Sequence, residues 1–200
     1  MSDAIRRESP LVERITPERK AASPDDAGVT LRERPFLGYV NLRGNPGESG
    51  FLEAVKGVAG VDLPREPNTI ANGTDCTAIW LGPDEWYLVT APGNERKTIE
   101  ALGEVLAGRH FAVNDVTSNY TTIELSGAHA RDVLEKGCTL DLHPQAFREG
   151  QCAQTLLAHA GMLIRPLGDG FELVVRRSFA DYVFVWMEDA AAEYGMAVTD

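Results

Sequence analysis

From Gly28 onward the chain alternates apolar and polar positions with a period of two, interrupted by stretches of helical period. Val29-Thr30-Leu31 and Phe36 to Leu42 read as strands with Pro35 marking the turn between them, because alternating β-branched and aromatic residues suit a half-buried strand. Phe51, Leu52, Val55 and Val58 then fall at helical spacing, with Ser49 placed to cap the helix and Gly60 to end it. Cys76 to Leu81 and Glu85 to Thr90 flank Gly82-Pro83-Asp84, where proline presets φ and aspartate bonds the local backbone, so these strands form a hairpin. Asn94 opens a second helix with Ile99, Leu102, Val105 and Leu106 turned inward. Residues 28–110 thus form an N-terminal α+β half of order ββαββα.

A second α+β half occupies 111–200. It begins with strands Phe111 to Val116 and Tyr120 to Leu125; the second sets Tyr120, Thr122 and Glu124 against Thr121, Ile123 and Leu125, which predicts one face in water. Ser126 is placed to cap a short helix through Val133 and Leu134, and strands follow at Ala153 to Ala158, Met162 to Leu167 and Phe171 to Arg176. The last helix opens on Ser178 and Asp181, spaced as in a capping box, and buries Tyr182, Val183, Trp186, Met187, Ala190 and Tyr194. Phe179, Phe184 and Val185 make its first turns apolar nearly all round, which asks for a second covering surface from this chain or from a partner. Hairpins mixed with helices define an α+β fold of two related halves, with mixed or antiparallel sheets and helices packed on one face.

Residues 1–27 break this pattern. They are polar, carry Pro10, Pro17 and Pro24, and offer only Leu11, Val12 and Ile15 as an apolar cluster, which reads as an arm that is either loose or docked on the body or a partner.

Composition narrows the function. With 30 acidic against 19 basic side chains the net charge is −11, which opposes nucleic acid and anionic membrane surfaces. No apolar run has the length of a spanning helix or a secretion signal, so the expected location is cytoplasmic. Cys76, Cys138 and Cys152 are odd in number and widely spaced, which gives neither a disulfide framework nor a CxxC pair.

Candidate chemistry is sparse. Gly44-Asn45-Pro46-Gly47-Glu48-Ser49-Gly50 lies between a strand and a helix as a phosphate loop does, but its GxxGxxG spacing, Pro46 and Glu48 all oppose phosphate binding. His110, His129, His143 and His159 have no metal-ligand spacing, and Ser126 near His129 lacks a GxSxG elbow. Asp84 and Glu85 beside Trp86 suit either a general acid or a turn next to the core. Arg165, Arg176 and Arg177 suit either anion binding or solvated strand ends.

Several of these segments carry a resemblance: Tyr39-Val40-Asn41-Leu42-Arg43-Gly44, Trp80-Leu81-Gly82-Pro83-Asp84-Glu85-Trp86, Asp115-Val116-Thr117-Ser118, Gly150 to Thr155 and Arg177 to Tyr182. Over about residues 30–195 the chain resembles the gamma subunits of heterotetrameric sarcosine oxidases, and more loosely the folate-binding aminomethyltransferase superfamily. The resemblance implies two ferredoxin-like, aminomethyltransferase-domain-like halves. It also implies membership of a complex that oxidises sarcosine to glycine, yields hydrogen peroxide and passes the one-carbon unit to tetrahydrofolate. It places FAD, FMN, NAD, zinc and tetrahydrofolate in the alpha, beta and delta subunits, none in this chain, and packs the chain against alpha. The interface candidates are Leu11, Val12, Ile15, Phe179 and Phe184. The alternative is a stand-alone folate-dependent aminomethyltransferase.

Overall fold

The structure, a computed structural model, describes residues 7–21 and 26–200; the rest of the 1–27 arm lies outside the described residues. In chain order the elements are α1 (Pro17–Ala21), β1 (Val29–Arg34), β2 (Gly38–Gly44), α2 (Phe51–Ala59), β3 (Ile70–Asn72), β4 (Cys76–Gly82), β5 (Glu85–Thr90), α3 (Glu95–Val105) and β6 (Phe111–Asp115). They continue with β7 (Tyr120–Ser126), α4 (Ala130–Glu135), β8 (Ala153–Leu157), β9 (Ala160–Leu167), β10 (Gly170–Arg176), α5 (Ala180–Ala190) and β11 (Met196–Thr199).

The described strands form two sheets, ordered β3-β4-β5-β2-β6 and β11-β1-β7-β10-β9-β8. Each contains a β-α-β-β-α-β unit. In the first sheet it runs β2-α2-β4-β5-α3-β6, with all pairings antiparallel. In the second it runs β7-α4-β9-β10-α5-β11, but β1 is wedged between β7 and β11, antiparallel to one and parallel to the other.

The sheets therefore do not divide at residue 110. Pro35 is a crossing between sheets instead of a hairpin turn, so β1 joins the second sheet while β6 closes the first. Local alternation marks a strand but does not name its neighbour. Leu37, buried in the seam, and Phe36, at φ 67°, make the crossing in a few residues.

Helices cover one face of each sheet, and the other two faces meet. α2 and α3 pack on Val40, Leu42, Ala78, Trp86 and Leu88 of the first sheet. α4 and α5 pack on Leu31, Ile123, Leu125, Leu173 and Val175 of the second. Between the sheets lies a third apolar cluster that includes Leu37, Tyr39, Ile79, Leu163 and Val174. The face of Tyr120, Thr122 and Glu124 expected in water instead looks into this seam, where Thr122 is fully buried and bonded to the Tyr39 hydroxyl.

The caps also differ. Gly50, at φ 77°, precedes α2 in place of Ser49, and Ser126 ends β7 instead of opening α4. In α3, Val105 is exposed while Leu102 and Leu106 are buried.

Two strand glycines make opposite demands. A Cβ at Gly170 would fall on the Leu125 carbonyl oxygen, a backbone atom of the adjoining strand, whereas one at Gly161 meets nothing within 4 Å. Gly170→Ala is expected to destabilise the fold by about 1–3 kcal/mol, the usual effect of overpacking. Gly161→Ala is expected to be neutral or to stabilise by about 0.5 kcal/mol, since glycine weakens a strand. Urea titration of both variants checks the contrast.

Candidate functional site

The residues with candidate chemistry are taken up by structure. In the glycine-rich loop the Gly47 amide donates to Asn45 Oδ1 at 2.9 Å, and Arg109 holds both Glu48 and the Ser49 carbonyl. Phe51 fills the space where a Cβ of Gly44 would stand, so this glycine serves ring packing. The turn carboxylates belong to the hairpin: Asp84 accepts from Arg43 at 2.9 Å, and Glu85 accepts from the Asn41 amide at 2.8 Å. Trp86 is buried and donates from Nε1 to the Pro64 carbonyl at 2.7 Å.

The histidines stay apart. His129 stacks on Tyr194 with ring centroids 4.2 Å apart and bonds Asp132. Among the described residues no group of three or more His, Cys, Asp or Glu side chains is arranged to hold a metal ion. All three cysteines are buried and free; burial pushes the Cys76 and Cys152 thiols up to about 11, far from a reactive thiolate at neutral pH.

Charge is concentrated in a row across the second sheet. Arg32, Glu124, Glu172 and Arg165 stand in register on β1, β7, β10 and β9. Arg165 holds Glu172 through two bonds of 2.7 and 3.0 Å, and Arg34 reaches Glu124 at 3.2 Å and Glu172 at 3.8 Å. Two facing glutamates would repel, and the three arginines remove that repulsion.

The described part of the arm is docked. Leu11 is fully buried in the core under α5, and Ile15 packs beside it. Arg7 binds Glu95 at 2.6 Å, Ser9 binds Glu33, Arg14 binds Asp181 at 2.5 Å, Arg19 binds Glu188, and Lys20 binds Asp200. Arg14 and Arg19 follow one face of α5, and Arg19 lies over the Phe184 ring. The arm thus supplies the second cover for Phe184, while Phe179 and Val185 on the same helix end stay exposed. Asp181 belongs to this clasp, not to a capping box.

Of the interface candidates, Leu11 and Phe184 lie inside the chain and Ile15 is half-buried, while Val12 and Phe179 are exposed. Tyr182, assigned to the buried stripe, is exposed too, as are Val185 and Leu156. The pattern could not find Leu156, because alternation gives β8 two faces without saying which is left uncovered.

Between the two sheets a cleft of about 380 Å³ is lined by Leu81 and Tyr87 of the first and by Tyr120, Leu156, Gly161 and Arg176 of the second. Tyr87 and Tyr120 share one hydroxyl hydrogen bond of 2.8 Å, and Arg176 lies 6.0 Å from the Tyr120 ring centre. Burial pushes the Tyr87 phenol above its usual range.

Comparison with solved structures places this architecture. The chain is similar to glycine cleavage system aminomethyltransferase T from Bartonella henselae, with a TM-score of 0.64 and 15% identity over 91% of this chain and 50% of that one. The fold is therefore of the aminomethyltransferase class, at half that protein's length.

The particular family follows from closer matches. The model of the sarcosine oxidase gamma subunit family matches residues 43–193. Two curated relatives, both sarcosine oxidase subunit gamma, come from Corynebacterium sp. strain P-1 (35% identical, covering 83% of this chain and 81% of the relative) and strain U-96 (32%, covering 96% and 93%). A chain of the heterotetrameric sarcosine oxidase from Corynebacterium sp. U-96, solved in complex with pyrrole 2-carboxylate, superposes with a TM-score of 0.84 at 30% identity over 94% of this chain and 96% of that one. The chain belongs to the sarcosine oxidase gamma subunit family, which selects the subunit reading over the stand-alone transferase.

Proposed function

We propose that this chain is the non-catalytic gamma subunit of a heterotetrameric sarcosine oxidase and that it packs on and stabilises the alpha subunit. The assembly oxidises sarcosine to glycine: oxygen is reduced to hydrogen peroxide, and the former methyl carbon joins tetrahydrofolate as a methylene group. FAD, FMN, NAD and zinc reside in the alpha, beta and delta subunits, the chain binds no cofactor of its own, and the complex is cytoplasmic.

The observation that carries this reading is the near full-length superposition on a chain of a heterotetrameric sarcosine oxidase. The absorption of its candidate catalytic groups into turns, ion pairs and core supports a structural role. A permanent subunit contact needs upward of about 2,000 Å² of buried surface. Val12, Phe179, Tyr182 and Leu156 offer exposed apolar area toward it.

The test is native purification of the tagged chain from its own cells grown on sarcosine. The expected result is a yellow complex with larger flavin-bearing chains and sarcosine-dependent peroxide formation. A colourless, solitary chain that binds tetrahydrofolate would overturn the proposal.

A further inference from the structure

The cleft between the sheets holds unused binding capacity. A registered row crosses the second sheet there: Leu156 on β8 faces Gly161 on β9, and Arg176 on β10 faces Tyr120 on β7. Gly161 adds no side chain to this row, and the space above its Cα is open. It is the floor of the cleft between the Leu156 and Arg176 side chains.

Two hydrogen-bond donors converge on this space. Arg176 is exposed and, among the described residues, has no carboxylate partner, although the chain carries a net charge of −11 and its neighbours Arg165 and Arg177 are both held, by Glu172 and by the Glu8 carbonyl. The Tyr87 and Tyr120 hydroxyls share a single hydrogen bond, so one hydroxyl hydrogen of the pair is left to donate. Beside these donors Leu81, Leu156 and Leu163 supply an apolar part of the lining, next to Gln154 and Thr155, and Leu156 is 55% exposed. A guanidinium and a phenol hydrogen beside an apolar notch are complementary to a carboxylate carried next to an apolar side chain.

We propose that this cleft is the docking socket for a loop of the partner subunit that inserts an apolar residue over Gly161 and sets an adjacent Asp or Glu against Arg176. This rests on the subunit reading above and adds to it a defined surface and the chemistry of its occupant. Leu156, which the chain leaves in water, becomes covered on assembly. The charge match sets register and recognition, and the notch supplies the buried contact.

The experiment is co-expression of the tagged chain with the other three subunits of its oxidase, followed by measurement of flavin retained per tagged chain. Gly161→Phe fills the notch where nothing stands within 4 Å, and Arg176→Glu reverses the charge. Each is expected to lower retained flavin at least tenfold with the melting temperature of the isolated chain unchanged, Arg176→Lys is expected to retain most of it, and Val105→Asp, on an exposed face of α3, is expected to match wild type. Protection of the 153–157 and 161–163 amides from hydrogen exchange in the wild-type complex supports the same conclusion.

Full retention by Gly161→Phe and Arg176→Glu, with both folded, would overturn the socket while leaving the subunit reading intact. Failure of the wild-type chain to retain any flavoprotein would overturn both. Full retention joined to quenching of tyrosine fluorescence by benzoate, lost in Arg176→Glu, would replace the socket with a small-carboxylate site.

Discussion

Leu11→Ala is expected to lower the stability of the chain by about 2–5 kcal/mol, the range for truncating a buried leucine. For a chain of this size that corresponds to a fall in melting temperature of roughly 5–15 °C. The residue lies in a polar arm, yet its side chain is completely buried in the same core as Leu31, Val183 and Phe184. Its removal leaves a cavity under α5 that the fixed sheet cannot close. Leu11→Asp is expected to go further and release the arm, since it sets a charge in an apolar core.

The clasps beside Leu11 set the comparison. Arg14 with Asp181 is an exposed pair, so Arg14→Ala is expected to change stability by less than about 1 kcal/mol. Thermal unfolding of the three variants decides the matter. Equal melting temperatures for Leu11→Ala and wild type would mean that the arm is not part of the core in solution.

The second large effect is expected at the charged row. Arg165 and Glu172 keep only 12% and 4% of their side-chain surface exposed, so removing one partner strands a charge in the seam. Arg165→Met is expected to destabilise by about 3–5 kcal/mol, the range for breaking a buried pair. The loss is aggravated because Glu124 stands directly opposite Glu172. Arg34, at 3.8 Å, compensates only in part.

The double variant Arg165→Met/Glu172→Leu is expected to recover most of this loss, because apolar replacement of both ends removes the uncompensated charge. Denaturant titration of the single and double variants forms the cycle. If the double variant were as unstable as the sum of the two singles, the pair would not interact and the row would be a set of independent surface charges.

Much of this fold is legible locally. Alternation at Cys76 to Leu81 and Glu85 to Thr90, with Gly82-Pro83-Asp84 between them, specifies a hairpin that the structure contains as β4 and β5. The spacing of Phe51, Val55 and Leu102 identifies helix faces that are buried. The site was less legible. Arg176 and Leu156 look like any strand-end cation and any half-buried aliphatic, and only the packing of the two sheets gives them a shared cleft.

By itself the sequence determined what is encoded over a few residues: the strands and helices of an α+β chain, its acidic character, the lack of ligand spacing among its cysteines and histidines, and segments whose resemblance the family match later supported. Tertiary structure alone decided which strands pair, because pairing depends on partners distant in the chain. It sent β1 past β2 to lie between β7 and β11, and turned the face of Thr122 and Glu124 from water into a seam. It also gave Phe184 its cover from Arg19 of the same chain. Periodicity records that a face must be buried. What buries it is settled by the contacts that offset the entropy of closing long loops, and those exist only in the folded chain.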